Sequence, residues 1–160
     1  MKTKQILRTM AYSFLTLGLA SFLFGCKAQR VDTQGIMGQV YWVEGNLMPS
    51  ISEGNTVPEK PPREKVKRKI RIYERTHINK AKMGDLLFTE IETPMVAEIE
   101  TDEDGSFVIG LPPGTYSVFT VEEGGYFANV FDLDTFIQPV EVVDGEWSQM
   151  EILINYKATY

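Results

Sequence analysis

The sequence predicts an all-β fold for residues 35–160, a two-sheet sandwich of about seven or eight strands. Three observations lead there. Short apolar runs rich in Val, Ile, Phe and Tyr recur, separated by Gly, Pro, Asn and Asp clusters. Turn signals fall every 8–12 residues, the spacing of a sandwich. No stretch of a dozen residues carries an apolar stripe at helical spacing.

The first strand is expected at 36–43 (IMGQVYWV), stopped by Glu44-Gly45-Asn46. Residues 47–64 hold Pro49, Pro58, Pro61 and Pro62 with Gly54 and Asn55, and read as a long loop. A second strand follows at 66–73 (VKRKIRIY). Ile70 and Ile72 share one face there, and Lys69, Arg71 and Tyr73 share the other. Two more strands fall at 86–92 and 96–101, broken at Pro94. Residues 101–118 read as strand, Asp/Gly turn, strand, Pro-Pro-Gly turn, strand, with Phe107, Ile109 and Leu111 on one face. The last two strands, 136–143 and 150–156, flank Asp144-Gly145, which reads as a hairpin turn.

The first 26 residues differ in kind. Lys2, Lys4 and Arg8 precede an apolar stretch, residues 10–25, interrupted only by Ser13, Thr16 and Ser21. A positive end followed by an apolar run is the build of a secretory signal. Leu23-Phe24-Gly25-Cys26 then resembles the lipobox of bacterial lipoproteins, with Phe24 departing from the usual small residue. That resemblance implies lipid on the Cys26 sulfur and cleavage just before it. Residues 1–25 are thus expected to be a signal peptide, 26–34 a polar tether, and 35–160 the folded domain. A signal anchor is the alternative, since the apolar run approaches the length of a spanning helix. Losing residues 1–25 would leave 13 Lys and Arg against 22 Asp and Glu, a formal charge of -9.

Composition narrows the functional classes. One Cys excludes an internal disulfide framework and any multi-Cys zinc site. A single His, His77, removes most catalytic triads and zinc enzymes. The acidic balance argues against nucleic acid as a partner. No phosphate-cradling glycine loop and no Ser/His/Asp set stands out, so no catalytic residue and no cofactor are expected.

Gly38-Gln39-Val40, a basic strand, and then TDEDGSFVIGLPPGTYSV together resemble the carboxypeptidase regulatory-like domain. The matching positions are Thr101, Asp102, Gly105 and Phe107, then residues 111–116, then Gly125-Tyr126; the likeness spans about 36–127. It implies a transthyretin-like (prealbumin-like) sandwich, common in the cell envelope of Bacteroidetes-type bacteria, that serves as an accessory module without catalysis. A transthyretin-like hydroxyisourate hydrolase would need several His residues and a Tyr-Arg-Gly-Ser ending. This chain ends Asn155-Tyr156-Lys157-Ala158-Thr159-Tyr160.

Three features invite a binding role. Asp102 and Asp104 before Gly105 are similar to the first half of an EF-hand loop, but the distant Glu of the oxygen cage is missing; a plain hairpin turn is the other reading. Tyr126, Phe127 and Phe131 are candidates for a ligand-binding edge, or else close the end of the sandwich. Residues 60–71 (KPPREKVKRKIR) contain seven of the 13 basic residues that follow Gly25. They face either an anionic surface or solvent. The expected protein is a non-enzymatic envelope lipoprotein, tethered to a membrane through Cys26 and meeting an envelope protein. The outer membrane, facing the periplasm, is its expected location. The alternative is a glycan- or peptide-binding module with loops 44–64 and 124–135 as its site.

Overall fold

The computed structural model describes residues 33–47 and 62–159, which fall within one compact unit, residues 32–160. Residues 1–25, Cys26 and nearly all of the expected tether lie outside the described residues, as does 48–61. Thirteen strands are described: β1 (Gly35–Trp42), β2 (Gly45–Asn46), β3 (Glu64–Lys65), β4 (Lys69–Glu74), β5 (Ala81–Met83), β6 (Phe88–Ile91), β7 (Met95–Glu100), β8 (Ser106–Gly110), β9 (Gly114–Glu122), β10 (Gly125–Phe127), β11 (Pro139–Val142), β12 (Trp147–Ile154) and β13 (Ala158–Thr159). Among the described residues the only helix is one 3-10 turn, Ile78–Lys80. The protein is all-β.

The smaller sheet is built on β1. One edge of β1 pairs in parallel with β12, from Gly35↔Trp147 to Trp42↔Ile154. Its other edge is shared by β8, over Gly35–Gln39, and β3, at Tyr41 and Trp42, both antiparallel. The larger sheet runs β5-β6-β10-β9-β4-β7, and β11 also pairs with β9. The short strands β2 and β13 pair in parallel.

The main core lies between these sheets, as two-sheet packing requires. Ile36 and Val40 of β1, Phe107 of β8 and Ile152 and Ile154 of β12 meet Ile70 and Ile72 of β4 and Tyr116 and Val118 of β9. Gly38 stands between Ile36 and Val40 on the inward face. A Cβ there would lie 2.3 Å from the Met150 carbonyl oxygen and 2.8 Å from the Phe107 ring, so the missing side chain is what admits Phe107.

The alternation in β4 is as expected, but the second face is solvated only at Lys69 and is covered at Tyr73. Tyr73 packs with Phe88, Phe119, Ala128 and Ile137 in a smaller cluster on that side. Residues 116–120 of β9 are consequently buried on both faces.

Several expected connections differ. The Asp144-Gly145 turn forms, with Gly145 at φ 75°, but it does not make a hairpin. β11 joins β9 in the larger sheet and β12 joins β1 in the smaller one. The acidic turn and the Pro-Pro-Gly turn cross between sheets in the same way, since β7 and β9 belong to one and β8 to the other. A turn signal reports reversal of the chain, and the partner of each strand is set by core packing. The second strand begins at Lys69 and not Val66, because the Arg68 amide donates to Thr101 Oγ1 (2.8 Å) and leaves the ladder. Residues 136–138 are loop, with Gln138 at φ 40°, and only 139–142 is strand.

Candidate functional site

The described part of the basic stretch is ion-paired within the chain while Arg63, Lys65, Lys67 and Lys69 stay exposed to solvent. Arg63 pairs with Glu151 (2.5 Å), Lys65 with Asp104 (3.9 Å), Lys67 with Glu103 (2.8 Å) and Arg68 with Glu122 (3.2 Å). Lys69 and Arg71 both reach Glu98, at 3.0 and 2.7 Å. Every described basic residue of this run thus meets a carboxylate of the same chain. The Arg71 guanidinium, and then Lys69, hold the Glu98 carboxyl below its ordinary value.

The same ladder engages the acidic turn. Asp104 accepts from the Ser106 amide (3.1 Å) and hydroxyl (2.7 Å), which lower its carboxyl pKa. Asp102 accepts from the Ser106 hydroxyl at 3.4 Å. Gly105 sits at φ 77°, where a Cβ would come within 2.7 Å of the Val40 carbonyl oxygen, and its own carbonyl accepts from the Val40 amide (3.0 Å). The turn is therefore seated on β1. Among the described residues no group of three or more His, Cys, Asp or Glu converges as a metal site.

The three aromatic candidates separate. Phe127 is buried in the main core against Tyr156, with ring centroids 5.6 Å apart. Tyr126 lies on the opposite side, edge-on to Tyr73 at 6.3 Å, and its hydroxyl accepts from Arg71 (2.5 Å). Phe131 stays exposed. The structure does not assemble one edge from them.

It assembles two other places. At the end of the sandwich where β1 and β9 finish, the Glu122 side chain is only 4% exposed. It accepts from Arg68 Nε and from the Tyr156 hydroxyl (3.2 Å). Burial, followed by the Glu122 charge, raises the Tyr156 hydroxyl pKa. Trp42 meets Tyr156 edge-on at 5.4 Å, and Arg68 and Lys157 lie 5.4 and 5.5 Å from its ring centroid. Nothing in the sequence links residues this far apart; the only local signal is a lone Trp ending an otherwise regular strand.

The second place is the hairpin 130–138. Asp132 Oδ1 accepts from the amides of Asp134 (3.0 Å) and Phe136 (2.9 Å), and the Asp132 amide donates to the Phe136 carbonyl (3.2 Å). Arg75 reaches Asp132 at 2.9 Å and lies 3.6 Å above the Phe136 ring. Thr135 and Gln138 both adopt left-handed φ, 62° and 40°, a strain that holds only where surroundings over-determine the backbone. Those surroundings are visible. Thr135 O accepts from the Ile78 amide (3.0 Å), and buried Gln138 bonds Val130, Asn129 and Val118.

His77 braces this hairpin. Its Nδ1 accepts from the Asn79 amide (3.2 Å), so the neutral ring carries its proton on Nε2, 2.8 Å from Thr135 Oγ1. Both ring nitrogens are engaged, and the Thr135 hydroxyl that meets Nε2 also donates to the Asp134 carbonyl (2.7 Å). Beyond this brace, Val130, Phe131 and Leu133 point into solvent, with Leu133 fully exposed.

A shallow groove of about 490 Å³ also lies on the outer face of the smaller sheet, lined among others by Met37, Gln39, Val108, Gln149 and Glu151. No helix among the described residues is long and apolar enough to cross a membrane. The chain matches no protein-family model, no curated protein and no solved structure.

Proposed function

We propose that this chain is a non-enzymatic envelope lipoprotein whose transthyretin-like, carboxypeptidase regulatory-like sandwich works by contact. It is held at a membrane surface, on the periplasmic side of the outer membrane, by lipid on Cys26. The observation that carries this reading is the position of the chain's only Cys, directly after an apolar run that follows three positive charges. A thiol there is suited to receive a diacylglyceryl group, and several acyl chains anchor firmly because each buried methylene contributes about 0.8 kcal/mol. The body supports a contact role, because its single imidazole is committed to bracing a hairpin and its basic stretch is matched by its own carboxylates.

Cys26→Ala is expected to release the protein from the membrane fraction and abolish incorporation of labelled palmitate. A mutant that still sediments with membranes at its unprocessed mass would instead make residues 10–25 the anchor.

A second reading, a peptide- or glycan-binding module, is favoured by the groove over β1. It combines apolar Met37 and Val108 with amide and carboxylate groups. Saturable binding on a glycan array, lost in Met37→Lys, would establish it over the first.

A further inference from the structure

We propose that the hairpin 130–138 is a second membrane contact, seating Phe131 and Leu133 in the interfacial layer of the bilayer that holds the lipid anchor. The proposal rests on the lipoprotein reading for its tether.

The placement follows from the strand register. Gly35, where the chain enters the body, pairs with Gly110 at the end of β8, four residues ahead of the start of β9. Glu74, the end of β4, pairs with Tyr116 near that same start. Arg75 and His77, which hold the hairpin tip, follow Glu74 directly. The tip is therefore pinned toward the end of the sandwich at which the chain enters. Gln34 is clamped there, bonding the Leu111 carbonyl (3.2 Å) and the Gly145 amide (2.9 Å). Seven residues, 27–33, then separate the clamp from Cys26, and at full extension they span about 25 Å. This end of the body stays within a short distance of the bilayer, at high effective concentration.

The chemistry of the tip suits a shallow lipid contact. The amides of Asp132, Asp134, Thr135, Phe136 and Gln138 are bonded within the hairpin and that of Ile137 to Thr76, so only the amides of Val130, Phe131 and Leu133 need water or headgroup partners, which a shallow contact provides. Arg75 neutralises Asp132. Asp134 has no ion-pair partner among the described residues, and its charge limits seating to headgroup depth. A protein partner is the poorer occupant. Three exposed side chains fall well short of the roughly 800 Å² per side that a stable protein interface buries. As an addition to acyl chains they need to supply only orientation.

The test uses Leu133→Cys in the full chain, labelled with an environment-sensitive nitrobenzoxadiazole; the Cys26 sulfur is acylated and does not react. The control is Glu123→Cys, at the turn between β9 and β10 on the opposite end. On vesicles of phosphatidylethanolamine and phosphatidylglycerol, the probe at 133 is expected to shift to the blue and be quenched by doxyl lipid, with no change at 123. A water-like probe at 133 on vesicle-bound protein overturns the proposal, as does a blue shift at 133 that requires added envelope protein. The intact mass reports acylation separately. Should Cys26 carry no lipid, the lipoprotein reading fails. Residues 27–160 with an amino-terminal hexahistidine tag, bound to nickel-chelating vesicles, then read the same two probes and decide the tip alone.

Discussion

Arg68 holds Glu122 across 3.2 Å at a point where the carboxylate is almost wholly removed from water. The two residues lie on β9 and just ahead of β4, and Tyr156 closes the third side of the carboxylate. Removing one partner of such a pair strands the other. Arg68→Met is therefore expected to lower stability by about 2–3 kcal/mol, at or just below the usual range because Arg68 is partly exposed. Pairing it with Glu122→Met should restore most of the loss, read as the denaturant midpoint of the single and double variants.

Thr120, two residues earlier on the same face, is fully buried, and its hydroxyl finds no hydrogen-bond partner. Thr120→Val keeps the shape and discards the orphaned group, so it should stabilise the fold by about 1 kcal/mol. A lower melting temperature would show that the hydroxyl is satisfied in solution.

Gly105→Ala addresses the acidic turn. Alanine would have to adopt φ near 77° and place its Cβ 2.7 Å from the Val40 carbonyl oxygen. A loss of about 3 kcal/mol is expected. Asp102→Ala, by contrast, removes one long bond at the surface and should stay within about 0.5 kcal/mol. Chemical denaturation of the two variants makes the comparison.

Acid should loosen the hairpin 130–138 ahead of the core. The hydrogen bond from Arg75, joined by backbone amides, lowers the Asp132 pKa in the folded chain. The folded carboxyl thus binds its proton less tightly than the unfolded one. Its contribution is complete above the unfolded value near 4 and disappears as pH falls through the lower folded value. Protection of the Asp134 and Phe136 amides, measured as exchange relative to the intrinsic rate at each pH, should fall across that range in the wild type and be low and independent of pH in Asp132→Asn.

Strand periodicity made much of this architecture legible. Ile70 with Ile72, and Ile152 with Ile154, announce their inward faces through simple alternation, because one face of each strand meets the core. The second cluster was hidden for a physical reason. Tyr73 and Phe119 alternate just as a half-buried strand would, and only the later return of Ala128 and Ile137 covers them. The sheet assignment of β8 and β12 was equally hidden, since a Gly-containing turn looks the same whether its strands pair or part. At the site, the basic residues of 60–71 were visible as a block, whereas the partners of the six described ones, Glu98, Glu103, Asp104, Glu122 and Glu151, are scattered along the chain. Phe127 was singled out for its bulk, yet that bulk is what places it in the core.

The parallel pairing of β1 with β12 ties the first strand of the body to nearly the last. Until residues 147–154 arrive, one flank of the smaller sheet has no neighbour and Ile36 and Val40 lack half their cover. Closing that flank requires a loop as long as the domain itself, the kind of distant contact that slows folding. The body cannot close its smaller sheet before its carboxy-terminal strand is in place, so the amino-terminal strand waits on the tail for its cover.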